Sequence, residues 1–318
     1  MAINFQMAYT LDVLAYIDCM LNGKRKKLNE VDVNRFMPML GTVSDKHMER
    51  LAKIEKNCPE FIWHINTMLM ANDHLHDWKT EDLLERHKRL VTVFKKTVVY
   101  QQSGKDLKKF IGGDYLKAMP LIKIIVSDLE RLGFKKFWLE EKLPRLKHRI
   151  LDYQQLLASF DIFAYINQWT TVDVTPATDG WFMLAYSDDT FKKYSNTYVT
   201  TSPHITTEKL FYTMIAYGVN ESNFQGFIKT LKPPTALKKT YKQHPSVKTY
   251  QNIYHYVSSC FKQALLAHLL TGCGIETDWL HGEELLADDM LRYLTEVKKE
   301  ATVDVATYIK EMMVYFSK

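Results

Sequence analysis

Glycine and proline are scarce, at 12 and 9 in 318 residues. An all-β fold with many tight turns draws heavily on both, so this composition disfavours one. Cysteine is scarcer still. Cys19, Cys58, Cys260 and Cys273 are scattered, with no C-x-x-C pair, which suits buried thiols in a reducing cytoplasm better than a disulfide framework or a zinc knuckle. No apolar run approaches the roughly 18 residues that a bilayer span requires. The opening MAINFQMAYTLDVL has neither a basic n-region nor a continuous apolar core, so neither a signal peptide nor membrane association is expected. There is no G-x-S-x-G elbow, no P-loop and no G-x-G-x-x-G, which removes the usual marks of α/β-hydrolases and of nucleotide sites.

What is present is a globular balance, 46% apolar and 25% charged, with 14 Met and 13% aromatic residues. Such a chain can bury a dense, adaptable core. The net charge of +5 is too mild to imply nucleic acid or membrane on its own.

Residues 4 to about 160 read as successive helices. Leu11, Leu14, Ala15 and Cys19 share one helical face, closed by the solvated GKRKK at 23–27. Ser44 is the expected N-cap of a helix bearing Met48, Leu51 and Ile54, and Thr80 of one running through Leu83, Leu90, Val93 and Phe94. A further helix over 115–132 should end at Gly133. Leu139, Leu143, Leu146, Ile150, Tyr153, Leu157 and Phe160 then form one stripe along a long helix, with Pro144 near its start.

The pattern changes after Trp169. TTVDVT (170–175), GWFMLAYS (180–187) and NTYVTTS (196–202) are β-rich and bounded by turn residues, predicting a small sheet of about three strands. Thr206 should cap the next helix, LFYTMIAYGVN (210–220), which is apolar almost all round and so expected to be buried. Helices follow over 250–270, 283–299 and 303–316. The expected class is mainly α (α+β), with 1–132 as an N-terminal helical region and 133–318 as an α+β region, or the two as one continuous domain.

Three segments carry a family likeness: GFKKFWLEEKLPRL (133–146), LFYTMIAYGVN (210–220) and YVSSCFKQALLAHL (256–269). Their order, with a small sheet between the first two, resembles the gluzincin class of zinc metallopeptidases, in particular a bacterial group with a long helical N-terminal half. The resemblance implies a zincin-like helical core. On that frame Tyr212, Thr213 and Ala216 stand where His, Glu and His would form H-E-x-x-H. Ser259 stands where the third ligand, a Glu, would be, with Ala264 matching that motif's Ala. Zinc catalysis needs two imidazoles a turn apart, a third ligand and a carboxylate base. Alanine has no ligand atom, neutral tyrosine is a poor donor, threonine is no base at neutral pH and serine does not replace a carboxylate. The resemblance therefore implies a pseudo-peptidase with no catalytic residue, metal or cofactor. Its cleft would be lined by Tyr212, Thr213, Ala216, His255 and Ser259, and would bind a protein or peptide partner. The plainer reading of 210–220 is an ordinary core helix.

Two alternatives remain. Relocated ligands could rebuild a metal-dependent hydrolase from His204, His255 or His281 with Glu283 or Glu284. His74 and His76, in NDHLHDW, share a face only in an extended segment, and His268 on an apolar face suits a hydrogen-bonded core histidine. Separately, no acid occurs between Glu221 and Glu276, while Lys229, Lys232, Lys238, Lys239, Lys242, Lys248 and Lys262 do, among Tyr241, Tyr250 and Tyr254. Lysine interleaved with tyrosine can track a phosphate backbone and stack on bases. The stretch lacks arginine, the usual base reader, so a solvated 229–248 loop is favoured over a nucleic-acid site, and an acidic partner would use the same surface. Cys260 beside Lys262 is expected to be a buried, inert thiol.

Overall fold

The computed structural model describes residues 3–22, 30–70, 80–158, 161–168, 181–187, 192–193, 199–221, 235–243, 252–272, 285–297 and 311. The protein is mainly helical with one small sheet. Its contacts form two units: Ala2–Leu156 with Ala177–Ile205, and Leu157–Pro176 with Thr206–Lys318. Residues 133–156 thus group with the N-terminal helices, and the chain passes between units more than once.

The first unit carries helices α1 (Tyr9–Leu21), α2 (Glu30–Phe36), α3 (Thr42–Asn57), α4 (Phe61–Met70), α5 (Thr80–Phe94), α6 (Tyr115–Arg131) and α7 (Leu143–Ala158). α6 packs along α3 and α5, and α1 against α3 and α4. Gly133 follows α6 at φ 87°, the left-handed conformation that a side chain would strain. Ser44 is not the cap of α3. Gly41 holds that place, and the Ser44 hydroxyl instead donates to the Asp128 carboxylate on α6. That bond holds the Asp128 carboxyl below its ordinary pKa.

The sheet belongs wholly to this unit. Its strands β1 (Phe5–Gln6), β2 (Trp181–Met183), β3 (Lys192–Lys193) and β4 (Val199–Thr201) lie in the order β1-β2-β4-β3. β1 and β4 both run parallel to β2, with Phe5 opposite Trp181 and Trp181 opposite Val199. β3 is antiparallel to β4. β2 and β4 fall inside the expected segments, and 170–175 lies outside the described residues. β1 corrects the reading of residues 4–160 as all helix. Two residues carry no period, and this strand exists because β2 supplies its hydrogen-bond partners.

Among the described residues of the long stripe, burial is uneven, and Phe160 lies outside them. Leu146, Ile150 and Tyr153 are core residues, whereas Leu139 is 48% exposed. A π-turn over Trp138–Lys142 inserts an extra residue into the helical register, and Trp138 rather than Leu139 faces inward. Further along α7, Arg149 donates to the carbonyls of Pro203 and Ile205 at 3.1 Å each. The Tyr153 hydroxyl donates to the Ile205 carbonyl at 2.7 Å. The chain is pinned there just before it enters the second unit.

An aromatic cluster fills the centre of the first unit. Tyr16 lies 4.5 Å from Phe134 and 5.0 Å from Tyr186, ring centre to ring centre, with Phe36 and Phe137 adjoining. Inside this apolar setting sits Asp12, on α1 and fully buried. Its carboxylate accepts from Trp138 Nε1–H at 2.8 Å and from the Tyr186 backbone N–H at 3.3 Å. Burial drives its pKa up to about 7 despite those donors. Lys142 pairs with Asp32 at 2.5 Å, its ammonium 5.4 Å and 5.6 Å from the ring centres of Phe137 and Tyr186.

Because the folded pKa of Asp12 is raised, the folded state holds this proton more tightly than the unfolded chain does. Its contribution to stability is full below about pH 4 and is lost as pH rises to about 7. In urea unfolding, the stability of Asp12→Asn relative to wild type should rise between pH 4 and pH 8, by up to about 4 kcal/mol, and level off above. A pH-independent difference would show that Asp12 titrates normally.

Candidate functional site

The second unit is built on α8 (Ile162–Gln168), α9 (Thr207–Glu221), α10 (Thr235–Gln243), α11 (Ile253–Gly272) and α12 (Leu285–Arg292). α9 packs against α8 and α11, and α11 also against α10 and α12. Thr206 is the N-cap of α9, its Oγ1 accepting from the Lys209 N–H at 3.3 Å. Leu210, Phe211, Met214 and Ile215 form its buried face. Tyr212, Thr213 and Ala216 share a half-buried face, so α9 is not enclosed all round. The Thr213 hydroxyl turns back on its own helix and donates to the Lys209 carbonyl at 2.7 Å.

Asn252 caps α11, its Oδ1 accepting from the backbone N–H groups of Tyr254 and His255 at 3.0 and 3.1 Å. Tyr256, Val257, Cys260, Phe261 and Ala264 are buried, while His255, Ser259, Lys262 and Gln263 are half-buried. Burial pushes the Cys260 thiol up to about 12, which makes it inert, and brings Lys262 down to about 8. His268 is a hydrogen-bonded interior histidine. The Tyr165 hydroxyl on α8 donates to the Leu265 carbonyl at 3.0 Å and lies 2.8 Å from His268 Nδ1. The phenol thus bridges the Leu265 carbonyl and the His268 ring. Burial lowers the pKa of this ring and keeps it neutral.

Between the first turns of α9 and the middle of α11 lies a groove of about 450 Å³. Its described walls are Thr206, Glu208, Lys209 and Tyr212 from one side and Gln263 and Leu266 from the other. Tyr212 is therefore a wall residue. Thr213, Ala216, His255 and Ser259 are not among these walls. Glu208, Lys209, Gln263 and Leu266 were missed by sequence reasoning. The available signal was the helix period: Glu208 and Lys209 stand one turn before Tyr212, and Gln263 one turn after Ser259.

The other candidates disperse. His204 is exposed and belongs to the first unit. His74, His76, His281, Glu283 and Glu284 lie outside the described residues. Among the described residues, no three His, Cys, Asp or Glu side chains gather closely enough to hold a metal ion, and no helix is long and apolar enough to cross a membrane. Part of the lysine-rich stretch is helix α10, with Lys238, Lys239 and Lys242 exposed. Tyr241 leans on Tyr256, ring centres 5.6 Å apart, so its ring is engaged inside the unit. Lys229, Lys232 and Lys248 lie outside the described residues.

The chain matches no protein-family model, no curated protein and no solved structure. Function is therefore argued from the geometry of this chain.

Tyr165→Phe removes the hydroxyl that bridges the Leu265 carbonyl and the His268 ring in a half-buried position. A loss of about 1–2 kcal/mol in urea unfolding is expected, and an unchanged midpoint would show that the pair contributes nothing.

Proposed function

We propose that this is a non-catalytic binding or regulatory protein, a pseudo-peptidase of zincin-like ancestry, whose ligand occupies the groove between α9 and α11. The observation that carries this reading is that groove, with Tyr212 in its wall. On the gluzincin frame, Tyr212 stands where the first zinc ligand would be. The chemistry of the neighbouring positions agrees. Thr213 directs its hydroxyl to its own helix, Ala216 offers no donor atom, and the nearby thiol is held protonated by burial. A cytoplasmic location fits Cys19, Cys58 and Cys260, which are buried thiols in no disulfide among the described residues. A groove of about 450 Å³ suits a small molecule or a few side chains of a peptide or protein partner.

The experiment is metal analysis of the full chain purified from zinc-replete medium. Zinc well below one equivalent is the expected result. One equivalent of zinc that His255→Ala or His281→Ala removes would overturn the proposal in favour of a hydrolase with relocated ligands.

A further inference from the structure

The groove has a charge pattern that narrows its occupant. Glu208, Lys209 and Gln263 all line it, and none of their side chains has a hydrogen-bond or ion-pair partner among the described residues. Successive helix residues diverge by about 100° around the axis, so Glu208 and Lys209 do not face each other. They flank the same hollow with opposite charges. The Tyr212 ring, the Thr206 hydroxyl and Leu266 line the same hollow. The walls thus offer one anion, one cation, one amide and an apolar surface.

We propose that the groove binds an α-amino acid with a bulky apolar side chain, held as its zwitterion. This rests on the reading of the groove as a ligand site. An α-amino acid carries its ammonium and carboxylate on a single carbon, matching opposite charges presented from adjacent backbone positions. Lys209 takes the carboxylate, Glu208 takes the ammonium, and the side chain lies on Tyr212 and Leu266. Gln263 donates to the carboxylate or accepts from the ammonium. A plain anion such as phosphate meets Glu208 and a plain cation meets Lys209, so each is disfavoured by one wall. The volume, near the lower end for small-molecule sites, suits one such molecule rather than a long chain.

The test is isothermal titration of the full chain with leucine, N-acetyl-leucine, leucinamide and N-acetyl-leucinamide. Leucine should bind most tightly. Lys209→Met should weaken leucine about tenfold and leave leucinamide unchanged, because that ligand has no carboxylate to lose. Glu208→Gln should weaken leucine similarly and leave N-acetyl-leucine unchanged. Gln263→Trp, at a half-buried position, fills the groove and should abolish binding. If the uncharged N-acetyl-leucinamide binds as tightly as leucine and Gln263→Trp blocks both, the groove is a ligand site and the zwitterion proposal falls. If none of the four binds, the zwitterion proposal falls, whereas the groove reading falls only on the zinc result given above. Leucine binding that Gln263→Trp leaves intact places the ligand elsewhere and overturns the proposal.

Discussion

Asp12 places a carboxylate among aromatic rings, out of reach of water. Burying that charge without partners would cost several kcal/mol. Donors from two distant segments, the Trp138 indole and the backbone after β2, offset part of that cost. Three pieces of sequence are thereby fixed to one atom group: α1, the π-turn at Trp138–Lys142 and the exit of β2. Phe5, four residues before α1, packs against Trp181 at 6.1 Å, so the position of α1 also bears on where β1 meets β2. Lys142 adds positive charge nearby while held by Asp32 and two ring faces. The first unit therefore has a polar tie inside an apolar core, joining α1, the π-turn and the segment after β2.

The sequence revealed what depends on period and on local chemistry. α1 and α6, the Gly133 stop and the Thr206 cap were all legible, because each is written within a turn or two of helix. Ser44 was misread: serine at a helix start signals a cap, but its hydroxyl found a stronger acceptor in Asp128, far away in sequence. The stripe from Leu139 was misread for a related reason. A π-turn shifts the register by one residue and leaves no mark in an apolar count. β1 could not be read at all, since a two-residue strand is defined by its neighbour. At the site, Tyr212 was found and its companions were not. Sequence reasoning followed the spacing of the metal motif that the segment resembles, and the groove walls are set by which side chains flank the gap between two packed helices.

Burial also decides which groups in the second unit can act. It keeps the Cys260 thiol protonated and the His268 ring neutral, and it loosens the proton of Lys262. Thr213 is occupied by its own helix. The charged and polar groups in the described walls of the groove are Glu208, Lys209, Gln263 and the hydroxyls of Thr206 and Tyr212.

The pairing of Phe5 with Trp181 has a consequence for how the chain comes to be made. A ribosome adding roughly 5–20 residues per second delivers the first of these strands roughly ten seconds or more before its partner exists. Through that interval the N-terminal edge has no mate, and the pair, once both are present, closes across a long span of sequence, which is slow. Until residues 181 and 182 have been added, Phe5 and Gln6 lack the strand that pairs with them.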